Sequence, residues 1–208
     1  MIPIDPVGRG VFGSPNLQRT KGGTSSDNGM SAQSNIQSGA GPAKLAEARE
    51  RLRRRYQPAR VRMLFVGESP PASGRFFYQA DSGLYRAIRQ TFVAAFPELK
   101  DADFLESFRN LDCYLVDLCG SPVDRMTPKN RQLACARGEM RLGATIRRLN
   151  PEVVVTVVRS IAANVRRAIA RAKWQGELVE LPYPGRWESH RVEFERTLKP
   201  VLRRTLRG

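Results

Sequence analysis

The sequence predicts an α/β fold, a three-layer arrangement in which a parallel four-stranded sheet is flanked by helices. From about residue 60 onward, short apolar runs alternate with longer segments whose apolar residues recur at helical spacing. This alternation is typical of a parallel sheet with helical crossovers. The apolar runs are nearly continuous, as expected of strands that are buried on both faces.

Residues 1–43 differ in composition from the rest of the chain. They are rich in Gly, Ser, Asn, Gln and Pro, and Phe12 is their only aromatic residue. Because such a segment buries too little apolar surface to offset the entropy lost on ordering, we predict a disordered tail over residues 1–43. The folded domain is predicted to comprise residues 44–208.

A helix is predicted from residue 42 to about residue 56, since strong helix formers make up most of this segment. It carries a cluster of arginines near its end, namely Arg51, Arg53, Arg54 and Arg55. Two interpretations of this cluster are open. It is either a phosphate-facing arm or a solvated helix face, which is the commoner case for a run of charges.

Four strands are predicted from short apolar runs that are bounded by helix- and strand-breaking residues. They lie over residues 61–66, 113–118, 153–158 and 178–181. The first run, VRMLFV, ends at Gly67, and the third, VVVTVV, follows Asn150 and Pro151 and is the clearest strand in the chain.

Four helices alternate with these strands, over residues 82–96, 129–149, 160–172 and 190–206. The first has apolar side chains at helical spacing, and the second has a basic outer face. In sheets of this kind ligands bind at the carboxyl ends of the strands. We therefore expect the functional residues within residues 67–75, 119–127, 159–160 and 182–187.

The chain has 35 Lys and Arg against 20 Asp and Glu, which gives a formal net charge of +15. This surplus favours nucleic acid as the partner, because basic side chains displace counterions from a phosphate backbone. The alternative is a protein that is merely rich in Arg.

No apolar run reaches the roughly 18–20 residues of a membrane span. Residues 1–13 lack a secretory pattern, and the three cysteines offer no disulfide framework. We expect a cytoplasmic, nucleoid-associated monomer that binds DNA and no membrane.

Five short segments lie at or near the predicted strands, and their order along the chain is informative. They are Gly67-Glu68-Ser69-Pro70-Pro71, Arg75-Phe76-Phe77-Tyr78, residues 113–128, residues 149–162 and Leu181-Pro182-Tyr183-Pro184. In order and spacing they resemble the motifs of the uracil-DNA glycosylase superfamily, most closely its iron–sulfur class, over about residues 61–202. The first resembles Gly-Glu-Ala-Pro-Gly of that class, and the second resembles its aromatic platform for an extruded base. The last stands in the place of its His-Pro-Ser motif.

The resemblance implies that a base is held outside the DNA stack by an aromatic ring and by hydrogen bonds to its edge, while a positioned water attacks. Gly67 and Ser69 would contribute to base binding, Phe77 would stack on the base, and Glu68 would position the water. For Glu68 the alternative is a surface carboxylate bonded to loop amides. For Phe77 the alternative is that residues 76–78 all pack beneath the loop.

Two residues depart from the family pattern. Asp117 stands where the family has an Asn that reads the uracil edge, and an ionised carboxylate accepts hydrogen bonds but donates none. Asp117 would favour a base edge that presents donors, unless burial raises its pKa; the alternative is that it caps the following loop. Leu181 stands where the family has its His, and the only histidine, His190, lies further on at the expected start of the last helix.

The loop after the fourth strand is predicted to contact DNA. It consists of Pro182, Tyr183, Pro184, Gly185, Arg186 and Trp187. Insertion of a large side chain from such a loop, here Tyr183, Arg186 or Trp187, would fill the space that an extruded base leaves.

Cys119 and Cys135 are 16 residues apart, the spacing of two cluster-binding cysteines in the iron–sulfur class. No cysteine precedes Cys113 to supply a second pair, and a cluster normally requires four thiolates. We therefore predict that the protein holds no metal and no cofactor.

Together these observations give the hypothesis of a DNA glycosylase that hydrolyses the N-glycosidic bond of a deaminated or damaged base, with Glu68 and Asp117 as catalytic residues. The alternative, which Leu181 and Asp117 favour, is a catalytically silent relative that binds nucleic acid. A nucleotide enzyme acting on small molecules is disfavoured by the positive charge.

Overall fold

The four strands form a single sheet in which all neighbours are parallel. This computed structural model describes residues 41–185 and 187–207, and most of the predicted tail lies outside these residues. The strands are β1 (Met63–Gly67), β2 (Cys113–Asp117), β3 (Val153–Thr156) and β4 (Glu177–Glu180), in the spatial order β2-β1-β3-β4. The predicted fold class is therefore confirmed, and each predicted strand lies within two residues of its expected bounds.

Six α-helices surround the sheet in the described part of the chain. They are α1 (Pro42–Arg55), α2 (Gly83–Ala95), α3 (Phe104–Asn110), α4 (Pro128–Leu149), α5 (Ala162–Ala172) and α6 (Glu188–Leu206). The α3 helix was not expected, because seven residues are too few to show a helical period. Asp103 begins it by accepting hydrogen bonds from the amides of Leu105 and Glu106, as N-cap residues do.

The strand order explains why helices cover both faces. The chain moves from β1 to β2 in one direction along the sheet, and from β2 to β3 and on to β4 in the other. Because parallel crossovers are right-handed, α2 and α3 lie on one face, whereas α4 and α5 lie on the opposite face. In agreement with this, α4 packs mainly on α5, and α6 packs on α2. None of these described helices has the length and apolar character that crossing a bilayer would require.

The core on the α2 side is aromatic. Phe65 from the central strand β1 lies 5.4 Å from Phe108 and 6.2 Å from Phe92, measured between ring centroids. Phe104 lies 5.4 Å from Phe92, and all four rings are fully or almost fully buried. This cluster fixes α2 and α3 against the sheet, and so it also fixes the segment between β1 and α2 that carries several predicted site residues.

Candidate functional site

A cavity of about 320 Å³ lies at the carboxyl ends of β1 and β2, where parallel strands place their loops together. Its walls include six residues that the sequence singled out: Gly67, Glu68, Ser69, Phe77, Asp117 and Tyr183. The volume is at the lower end of the range for small-molecule sites. The remaining predicted loop residues Pro182, Pro184, Gly185 and Trp187 do not line it, and Arg186 lies outside the described residues.

Gly67 and Asp117 lie side by side, since they are register partners at the ends of β1 and β2. A Cβ atom on residue 67 would lie 2.8 Å from the Asp117 Oδ1 atom, which is closer than any ordinary contact. Glycine at this position therefore makes room for the carboxylate. In the described part of the chain Oδ1 accepts no hydrogen bond, so this oxygen remains available at the cavity wall.

The other oxygen of Asp117 is held by an arginine that the sequence did not link to it. Arg53 of α1 donates from Nη2 to Asp117 Oδ2 at 2.8 Å, and the two side chains are only 12% and 8% exposed. Arg53 also donates to Glu50, and its guanidinium lies over the ring of Phe76 at 5.3 Å. Asp117 thus forms a buried ion pair and is not simply a loop cap.

The arginine cluster of α1 separates into two kinds of residue. Arg51 and Arg54 are largely exposed and pair with Glu47 and Glu50 of their own helix, as the solvated-face interpretation expects. Arg53 fits neither the phosphate-facing arm nor the solvated helix face, because its side chain is buried against β2. Arg49, one turn earlier, is also buried and donates to the carbonyl of Pro71, so α1 is tied to the loop that follows β1.

Burial raises the pKa of the Asp117 carboxyl, and the neighbouring cations Arg53, Arg141 and Arg49 partly oppose this effect. The pKa remains above that of an ordinary Asp. The guanidinium of Arg53 shows the complementary effect. Burial acts to lower its pKa, but the negative charges of Asp117 and Glu50 outweigh burial and raise it. Pairing with Arg53 thus favours the charged carboxylate, whereas burial, the larger effect, favours the neutral acid.

Glu68, the residue after Gly67, also lines the cavity and is paired with Arg131 of α4. Arg131 donates from Nε to Glu68 Oε1 at 2.6 Å and from Nη2 to Oε2, which is a side-on, bidentate arrangement. The Glu68 side chain is 15% exposed, whereas that of Arg131 is 41% exposed. The alternative of a carboxylate bonded to loop amides does not describe Glu68, because its partners in the described part of the chain are the side chains of Arg131 and Cys135.

Two loops close the cavity by bonding to each other. The amide of Ala72 donates to both carboxylate oxygens of Asp124, at 3.1 and 3.3 Å. The amide of Val123 donates to the Ser69 hydroxyl at 3.3 Å. Asp124 also lines the cavity, and sequence reasoning did not find it; an isolated Asp in a polar loop gives no distinctive signal.

The three consecutive aromatics are all buried, as the packing alternative expects. Phe76 and Phe77 nevertheless both line the cavity, so for these two residues burial does not exclude a place at the cavity wall. Phe77 is fixed by neighbouring rings on its other side, with Phe108 at 5.3 Å. Tyr78 points away and exchanges hydrogen bonds with the backbone of Leu115, at 2.8 and 3.1 Å, which anchors the segment to β2.

The loop after β4 presents two aromatic side chains to solvent. Tyr183 and Trp187 are 42% and 56% exposed, while Pro182 and Pro184 are buried. A Cβ atom on Gly185 would lie 2.2 Å from the Tyr183 ring, so glycine permits the ring to pack against the loop backbone. Leu181 is fully buried, and His190, in the first turn of α6, does not line the cavity.

The cysteines do not form a site for a four-thiolate cluster. Cys119 and Cys135 lie 3.6 Å apart between their Sγ atoms, but Cys113 donates to the carbonyl of Leu111 within the sheet region. All three are free and buried, and burial raises the pKa of Cys119 to about 12. Among the described residues no group of three or more His, Cys, Asp or Glu could hold a metal ion.

No protein-family model matches this chain, and no curated protein matches its sequence. The interpretation of the cavity therefore depends on its own geometry and chemistry.

Proposed function

We propose that the protein binds DNA as a monomer and hydrolyses the N-glycosidic bond of a deaminated or damaged base. One observation carries this proposal: a single cavity gathers an aromatic wall, an exposed aromatic loop residue and three carboxylates, of which Glu68 and Asp117 are the two assigned a role. These are the groups that base extrusion and glycosidic hydrolysis require.

Two residues of the cavity wall are proposed to recognise the base. Phe77 provides the ring on which a base can stack, and Asp117 provides a hydrogen-bond acceptor at the base edge. Because Arg53 occupies Oδ2, the available acceptor is Oδ1. In its ionised form, which the pairing with Arg53 favours, this carboxylate only accepts, so in that form the site prefers a base whose edge presents an N–H or an amino group.

Glu68 is the residue proposed to act on the water. In hydrolysis the C1′–N bond breaks with its electron pair going to the base, the water oxygen bonds to C1′, and one water proton passes through solvent to the base anion, which becomes the neutral free base. Glu68 accepts a hydrogen bond from that water and so orients its oxygen toward C1′. Arg131 fixes the plane of the carboxylate by its two hydrogen bonds. The Cys135 thiol also donates to Oε1 at 3.8 Å, so Oε2 is the oxygen that keeps a second lone pair for the water.

The DNA surface is proposed to extend from the Tyr183–Trp187 loop. Both aromatic side chains are exposed and suited to insertion between bases, and the net charge of +15 provides attraction to phosphates. Affinity is therefore expected to fall steeply as salt concentration rises.

The second candidate function is a catalytically silent DNA-binding relative. It is favoured by a specific observation: both oxygens of Glu68 already accept from Arg131, and the position of the family's His is occupied by the buried Leu181.

Base release from oligonucleotides that contain uracil, hypoxanthine, xanthine or an alkylated base decides between the two. We expect release of at least one base by the wild-type protein and a loss of about 100-fold or more in Glu68→Gln, the scale of general acid–base catalysis. Glu98→Gln, which changes an exposed carboxylate in the short 3-10 turn Pro97–Leu99 that follows α2, serves as the matched control. Release of no base, together with intact DNA binding, would establish the silent relative.

A further inference from the structure

A second cavity, of about 310 Å³, lies beside the edge strand β2 and is formed by residues of α1, β2 and α4. It shares Asp117 with the candidate base cavity, so the Asp117–Arg53 ion pair forms part of the wall between the two. None of the other residues that line it belongs to the base cavity. It is a separate space with its own chemistry.

The lining of this edge cavity is strongly basic. Four arginines face two carboxylates there, which leaves an excess of two positive charges. The carboxylates, Glu50 and Asp117, are both engaged by Arg53. The arginines are Arg53, Arg54, Arg141 and Arg148, and they come from two helices that converge on the outer edge of the sheet.

Several donors of the edge cavity lack a partner in the described part of the chain. The Nε atom of Arg53 is buried without a hydrogen bond, and a buried donor in this state is costly. Arg148 makes no hydrogen bond or ion pair within the described residues. Burial raises the pKa of Tyr114 to about 12, so its hydroxyl keeps its proton at neutral pH and can donate.

We infer that the edge cavity binds a phosphate group, which belongs either to a DNA backbone or to a free nucleotide or polyphosphate. Guanidinium groups match phosphate oxygens in charge and in the fork geometry of their donors. Arg54 and Arg148 face the cavity from α1 and α4, so one phosphate can accept from both helices. This inference does not require that the protein releases a base.

Isothermal titration calorimetry with inorganic pyrophosphate, at constant ionic strength in chloride, tests the site. We expect one saturable site per chain, weakened at least tenfold in the double variant Arg54→Gln/Arg148→Gln. Arg53 is left unchanged because it holds Asp117. The control is Lys100→Gln/Lys173→Gln, which removes the same charge from exposed positions elsewhere and should bind pyrophosphate as the wild type does.

A short oligothymidylate, measured in the same way, distinguishes the two sources of phosphate. If the arginine variant also binds this oligonucleotide at least tenfold more weakly than the lysine control, the ligand is the DNA backbone. If only pyrophosphate binding is weakened, the ligand is a free phosphate compound. The inference is overturned if neither probe binds saturably, or if both double variants weaken binding equally. Base release by the arginine variant is recorded separately, so failure here is distinct from failure of the proposed function.

Discussion

Two ion pairs face the candidate base cavity, and they differ in how firmly each arginine is held. Glu68 is paired with Arg131, whose side chain is 41% exposed, whereas Asp117 is paired with Arg53, whose side chain is 12% exposed. An exposed partner exchanges readily with water, but a buried one cannot leave without stranding a charge. Glu68 is therefore suited to a role in which it handles a water molecule, and Asp117 to a fixed place at the base edge.

The largest expected effect tests the buried pair. Arg53→Met leaves Asp117 buried without its cation, so we expect the free energy of unfolding to fall by about 3–5 kcal/mol, the usual result of removing one partner of a buried pair. Urea denaturation followed by circular dichroism measures it. Arg54→Met, which changes an exposed arginine on the same helix, is the control and should cost less than about 1 kcal/mol.

A compensating variant sharpens this test. Arg53→Met/Asp117→Leu removes both charges, and we expect it to recover much of the lost stability, because an apolar pair can replace a buried ion pair. If the double variant is no more stable than Arg53→Met alone, the ion pair is not the source of the loss.

Most of the sheet could be predicted from the sequence, whereas the ion pairs at the cavity could not. Buried parallel strands are continuous apolar runs, so VVVTVV and VRMLFV identify β3 and β1 directly. The pairing of Arg53 with Asp117 joins residues 64 positions apart, and no local pattern encodes it. One local pattern did point to buried arginines on α1. Arg49 and Arg53 are four residues apart and therefore lie on the same face of the helix, and that face is buried in the structure.

A variant that tests the proposed role of Asp117 in base selection is expected to have an effect of intermediate size. Asp117→Asn provides both a donor and an acceptor, which complements the imide edge of uracil. We expect the preference to shift toward uracil by about tenfold, or about 1.4 kcal/mol, measured as the ratio of kcat/KM values for uracil and the preferred wild-type base. Loss of release from every base, with normal folding, would instead make Asp117 part of the hydrolytic step.

The raised pKa of Asp117 predicts the pH dependence of the proposed base release. Release that needs the carboxylate increases as pH rises through this pKa, so the acid limb of the kcat/KM profile should lie above the ordinary Asp range and disappear in Asp117→Asn. The free energy of unfolding is expected to change with pH in the opposite direction. Because the folded-state pKa is above the unfolded one, the stability that protonation contributes is present below the unfolded pKa and is lost as pH rises through the folded value. An identical acid limb in both proteins would contradict the assignment.

The smallest expected effect concerns the exposed pair. Arg131→Met removes the cation of Glu68, but Glu68 borders two open cavities, so water can solvate the carboxylate that remains. We expect the free energy of unfolding to change by less than about 1 kcal/mol in urea denaturation. Arg166→Met, which breaks a partly exposed pair between α5 and Glu180 of β4, is the matched control. A loss from Arg131→Met as large as that from Arg53→Met would mean that the two pairs are equally fixed, and the division of roles between Glu68 and Asp117 would then have no basis in the geometry.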